Sequence, residues 1–177
     1  MRVLAYCLMS NHVHLVVVPE RADSLAVLFR RVHGAHAQAV NAGVGRSGHL
    51  WQNRFYSCPL SERHLWVALR YVEANPVRAG IAARAEQYLW SSAAVHLGEK
   101  EPDRPGALDM EFWQRAGGVA TWREMHDSAD GEHQLNLLRR CTYAGRPFGE
   151  EEFIVRLEEH FQRNWRRWSF EKSAVAG

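Results

Sequence analysis

The chain has 177 residues, 46% of them apolar and 24% charged, which suits one domain or one domain with a small appendage and excludes general disorder. No apolar run approaches the roughly 20 residues that span a bilayer, and the N-terminus lacks the cationic, apolar and small-residue succession of a secretory leader. The net charge of +2 excludes an extreme polyelectrolyte, although the charges are unevenly spread.

The first segment, Val3-Leu-Ala-Tyr-Cys-Leu-Met9, reads as a strand buried on both faces. Ser10-Asn11 is a tight-turn pair, and a second strand follows from His12 to Val18, stopped by Pro19. Over residues 22–41, Leu25, Leu28, Phe29, Val32, Ala35, Ala39 and Val40 recur at helical spacing, which predicts an amphipathic helix with Arg30, Arg31, His33 and Gln38 outside. Residues 43–48 form a loop, and the aromatic-rich Leu50–Leu60 reads as a third strand. Ser61 can cap a helix from Glu62 with Leu65, Leu69 and Val72 on its apolar stripe, disturbed at Pro76. Trp90-Ser-Ser-Ala-Ala is a candidate helix start.

The polar stretch 99–106 is read as a linker between a domain over residues 1–98 and a helical extension over residues 107–177. In that extension Glu150–Glu152 suit a helix N-terminus, and Arg163, Arg166 and Arg167 its C-terminus. Phe153, Leu157, Phe161, Trp165 and Trp168 form its packing stripe. The linker also divides the charge. Residues 1–98 carry 10 basic and 5 acidic side chains, and residues 99–177 carry 12 and 15. Only Lys100 and Lys172 are lysines. Arginine forks onto phosphate and stacks on flat rings, so the bias fits a polyanionic partner as well as GC-rich coding.

Two groups of residues could carry chemistry. His12-Val-His14 alternates on a strand, so both imidazoles project from one face and can hold a metal together. Tyr71 and Asn75 lie four apart and share a helix face, where an amide oxygen can join a hard cation beside a tyrosine nucleophile. The bland alternatives stay open from spacing alone: an incidental His pair, a tyrosine packed with Leu65 and Leu69, and Asn75-Pro76 as a helix stop. His33, His36, His49 and His64 are scattered and read as surface or packing residues. The three cysteines, Cys7, Cys58 and Cys141, show no finger or disulfide spacing and suit a reducing cytoplasm. Cys7, inside an apolar strand, is expected to be inert.

The run Ala5-Tyr-Cys-Leu-Met-Ser-Asn-His-Val-His-Leu-Val-Val-Val-Pro19 resembles the metal-binding strand of the REP-associated tyrosine transposases, members of the HUH (His-hydrophobic-His) single-tyrosine transposases. His49-Leu-Trp-Gln-Asn-Arg-Phe-Tyr56, Arg70-Tyr-Val-Glu-Ala-Asn-Pro-Val-Arg-Ala-Gly80 and Tyr88-Leu-Trp-Ser-Ser92 resemble, in order, the family's post-helix strand, tyrosine helix and following segment. Gly145-Arg-Pro-Phe-Gly149 resembles its C-terminal tail.

The resemblance implies an α+β, ferredoxin-like antiparallel sheet backed by helices. It makes His12, His14 and Asn75 ligands of Mg²⁺ or Mn²⁺ and Tyr71 the nucleophile. Trp51, Arg54 and Arg78 become contacts to single-stranded or hairpin DNA. The implied activity is nicking and rejoining of DNA at hairpin-forming palindromes through a 5′-phosphotyrosine, with no membrane partner and the oligomeric state open. Family members carry a strand and a helix before the segment that begins here at Met1, so a truncated copy is expected. The alternative function is a non-catalytic DNA-binding remnant. A relaxase or replication initiator fits less well, given the short chain and single helical tyrosine.

Overall fold

The structure, a computed structural model, describes residues 1–102, 106–127 and 132–165. Residues 103–105 of the expected linker, and Arg166, Arg167 and Trp168 of the C-terminal stripe, lie outside the described residues. Of the described residues, 1–55 with 69–127 form one compact unit and 56–68 with 132–165 a second.

The first unit opens on an antiparallel hairpin of β1 (Arg2–Leu8) and β2 (Val13–Val18). The Met9 N–H donates to the His12 carbonyl at 2.9 Å, closing the turn over Ser10 and Asn11. The register sets Cys7 opposite His14 and Leu8 opposite Val13, with an irregularity between Val3 and Ala5. The far edge of β1 is occupied: the Leu8 N–H donates to the Trp90 carbonyl at 2.8 Å, and the Ser92 N–H to the Tyr6 carbonyl at 3.0 Å. Since Tyr6 and Leu8 turn their backbone groups away from β2, their partners Leu15 and Val13 turn theirs to the outer edge of β2. Among the described residues no backbone hydrogen bond reaches that edge.

Helix α1 (Ser24–Gly43) matches the predicted periodicity, but none of its residues is fully buried. The strand expected over Leu50–Leu60 is not formed; the segment is bends and irregular chain, with a single bridge from Leu60 to Phe148 in the second unit. Two of its aromatics, Trp51 and Phe55, are held by α1 instead of by a ladder. The Trp51 indole N–H donates to the His33 carbonyl at 3.1 Å, and the Phe55 ring stacks on Phe29. Pro59 also lacks the N–H that a ladder needs.

Helix α2 (Glu62–Glu73) is followed at once by the short α3 (Asn75–Arg78), the break falling at Ala74 before Pro76. The chain continues through a 3₁₀ turn (Ala85–Gln87), α4 (Ala93–His96), α5 (Met110–Arg115) and α6 (Gly118–Asp127). Leu4, Cys7, Leu69, Trp113 and Trp122 are among the buried residues of this unit. The second unit carries α7 (Glu132–Ala144) and α8 (Glu151–Phe161) with the start of α2. Helix α8 stops earlier than its apolar stripe suggested: Gln162 takes a left-handed conformation (φ 50°), so Arg163 and Trp165 follow the helix and are not part of it. The α+β class and the antiparallel sheet expected from the sequence are what the described residues form.

Candidate active site

The site is assembled from the β hairpin and the end of α2. His12 lies at the last residue before β2 and His14 within it, so alternation turns both rings to one side. Their Nε2 atoms lie 3.0 Å apart. The Asn11 Oδ1 accepts from the His12 Nδ1–H at 2.6 Å, which fixes the tautomer and leaves the Nε2 lone pair on the shared side. Burial, then His12, then Arg78, hold the His14 imidazolium pKa down to about 4, so the ring stays neutral with a lone pair to give.

Tyr71, near the end of α2, packs its ring edge-on against His14 with centroids 5.4 Å apart. The Arg78 guanidinium donates to the Tyr71 carbonyl at 2.8 Å and lies 4.1 Å from the centre of the tyrosine ring. The break at Ala74 makes this possible, because α3 turns Arg78 back over the preceding turn. Asn75 begins α3, and its amide joins neither imidazole by a hydrogen bond. The structure thus brings together His12, His14, Tyr71 and Arg78, while Trp51 sits against α1 on His33 and Arg54 is exposed in the following loop.

At 3.0 Å the two Nε2 atoms are within hydrogen-bonding distance of each other, near enough for one divalent ion to replace the shared proton, and Asn11 holds the far nitrogen of His12. Among the described residues no group of three or more His, Cys, Asp or Glu side chains is placed to hold a metal ion.

Behind the site lies a polar group that the sequence reading missed. The Glu73 carboxylate is fully buried and accepts at Oε1 from the Ser92 hydroxyl and, at 2.6 Å, from the His96 Nδ1–H. The His96 ring stacks on Trp113 with centroids 4.2 Å apart. Ser92 also accepts from the Tyr6 N–H at 3.0 Å, so the group ties α2 to β1. One signal was available: Leu65, Leu69 and Glu73 recur every four residues, placing the acid on an apolar stripe.

Residues 1–75 match the model of the family described as Transposase IS200 like, and the match spans both histidines, Tyr71 and Asn75. The likeness to a transposase family thus covers residues 1–75, less than half of the chain. No curated protein and no solved structure matches. No described helix is long and apolar enough to cross a membrane.

Proposed function

We propose that this chain is a metal-dependent transposase that nicks and rejoins single-stranded DNA at hairpin-forming palindromes. The observation that carries the reading is the convergence of the His12 and His14 Nε2 atoms, 3.0 Å apart, beside the ring of Tyr71. His12 and His14, with Asn75 as the third ligand, would hold Mg²⁺ or Mn²⁺. The ion, when bound, supplies Lewis-acid polarisation of a scissile phosphodiester and a template for it.

The Tyr71 oxygen, giving up its proton, forms a bond to phosphorus, and the bond from phosphorus to the 3′ oxygen breaks. The leaving oxygen takes up a proton to become a 3′-hydroxyl, and a 5′-phosphotyrosine remains. Attack by the 3′-hydroxyl of a second strand reverses the step and releases Tyr71. The phosphodiester energy is conserved in the covalent bond, so no ATP is consumed. Arg78, already over the Tyr71 ring, brings positive charge to the reacting phosphate, and Trp51 and Arg54 contact flanking DNA by stacking and phosphate pairing.

A labelled hairpin oligonucleotide with a single-stranded flank tests this. In Mg²⁺ or Mn²⁺ the chain should cut it and carry label covalently. Tyr71→Phe should lower cutting by about 1,000-fold or more and abolish the adduct. Excess chelator should do the same reversibly. Undiminished cutting by Tyr71→Phe would falsify the nucleophile, and undiminished cutting in chelator would remove the metal.

A further inference from the structure

No negative charge belongs to the donors proposed for the metal. An imidazole ligates a cation as the neutral ring, so His12 and His14, with Nε2 atoms 3.0 Å apart, bring none. The Asn75 side chain is a neutral amide. An acid or thiol placed with the two imidazoles would complete a group of three metal-ligating side chains, and among the described residues no such group is placed to hold an ion. Glu73, the acid nearest to Tyr71 and Asn75 in sequence, is engaged elsewhere. It lies two positions after Tyr71, and residues that far apart on a helix do not face each other. Its carboxylate is fully buried and accepts at Oε1 from the Ser92 hydroxyl and the His96 Nδ1–H. The charged group that the structure sets against Tyr71 is a cation: the Arg78 guanidinium lies 4.1 Å from the ring centre.

Affinity for a hard divalent cation follows the number of charged ligands around it. Mg²⁺ and Mn²⁺ prefer carboxylate, carbonyl and water oxygens, and two imidazoles with one amide leave the ion's double charge uncompensated. A DNA strand carries one negative charge per phosphodiester, on oxygen atoms of that kind. We infer that His12, His14 and Asn75 form a site that is short of charge without DNA, and that a backbone phosphate of the bound strand supplies the missing anion, so that the divalent cation and DNA each tighten the binding of the other. The inference rests on the proposed function for the donors and the substrate, and it adds to that reading a rule of assembly: the chain captures the ion where a phosphate already lies. Linkage makes the effect reciprocal, because the factor by which DNA raises cation affinity is the factor by which the cation raises DNA affinity. Its sign is also diagnostic. A divalent cation acting only in solution competes with the protein for phosphate and weakens binding to DNA.

The test uses the full chain carrying Tyr71→Phe, so that DNA is bound and not cut, with an oligothymidine of about sixteen nucleotides. Mn²⁺ binding is followed by the loss of the free ion's paramagnetic resonance signal, and the part lost to oligothymidine alone is subtracted. Saturating oligothymidine should raise the Mn²⁺ affinity of the chain by about tenfold or more. Fluorescence anisotropy of labelled oligothymidine should show the same factor of tightening by saturating Mn²⁺. Adding His12→Ala with His14→Ala should abolish both gains, and Mn²⁺ should then weaken DNA binding. Adding Asn75→Asp instead supplies the anion from the chain itself. That variant should bind Mn²⁺ without DNA about tenfold more tightly than the Tyr71→Phe chain, with a smaller further gain from oligothymidine. Equal Mn²⁺ affinity with and without oligothymidine, at a site lost in the double histidine variant, would overturn the coupling and leave the transposase reading in place. An Asn75→Asp chain that binds Mn²⁺ no more tightly would overturn the shortage of charge as its cause. Mn²⁺ binding that the double histidine variant retains in full would remove the histidines as ligands, and the metal-dependent reading would fail together with the coupling.

Discussion

Which side chain acts as nucleophile is a question of charge state as much as of position. A thiol attacks only as thiolate. Burial, and then the Glu73 charge, push the Cys7 thiol up to about 11; burial, and then Cys141, push Cys58 up to about 12. The folded values lie above the ordinary 9.0, so each thiol stays protonated as pH rises until its own folded value is reached. Native Cys58, which is not fully buried, should therefore react with iodoacetamide at pH 8 about 1,000-fold more slowly than in the unfolded chain. Its rate should keep rising past pH 10, where an ordinary thiol has levelled off. A native rate at pH 8 equal to the unfolded one would reopen a cysteine mechanism. The contrast with His14 is instructive: the same burial that silences the thiols keeps its imidazole neutral, which is the form a cation would need. That His12 and His14 share a strand face and that Tyr71 lies on a helix could be read from local periodicity; their roles were implied only by the family resemblance. The Glu73, Ser92 and His96 group could not be read, since its members are up to 23 residues apart and a lone acid or serine in a pattern usually faces water.

At the scale of elements, the position of Tyr71 depends on how α2 is fastened to the hairpin. Glu73, two residues after Tyr71, receives hydrogen bonds from Ser92 and His96, and Ser92 in turn holds both backbone groups of Tyr6 on β1. Removing the acceptor would leave the buried His96 Nδ1–H unmatched and the Ser92 hydroxyl with only the Tyr6 carbonyl, at 3.3 Å. Glu73→Ala should cost about 3–5 kcal/mol in urea denaturation, in the range for breaking a buried pair, whereas Glu73→Gln keeps an accepting oxygen and should lose markedly less. Equal midpoints for the two variants would mean that the group does not fasten α2. The elements themselves were largely legible. The two strands, the turn and α1 are each specified by a period carried within one segment. The expected strand over Leu50–Leu60 failed because Trp51 and Phe55 find rings on α1, which a local pattern does not record. Helix α2 was legible to its end, but not the way α3 turns Arg78 onto Tyr71, which follows from the break before Pro76.

At the scale of the molecule, the hairpin unit leaves apolar surface and backbone unmatched. Leu8 and Val13, directly opposite each other, are each 40% exposed, and the outward backbone groups of Val13 and Leu15 have no backbone partner among the described residues. Helix α1 adds an apolar stripe without a fully buried residue, including Val32 at 51% exposure. An open strand edge beside exposed apolar side chains is a template for pairing with another chain. The modest net charge of +2 gives little repulsion to prevent it. The 177-residue chain should therefore self-associate in a concentration-dependent way. Val13→Lys places a charge on that edge at an already exposed position, and it should shift size-exclusion elution toward the monomer without lowering the melting temperature by more than a few degrees. The charge cannot act through the core, because Val13 is not in it. A wild-type chain that is monomeric and sharply melting at all concentrations would show that the edge of β2 is protected by the chain itself. Association that persists unchanged in Val13→Lys would move the contact from the β2 edge to the stripe of α1, where Val32→Glu would then be the informative substitution.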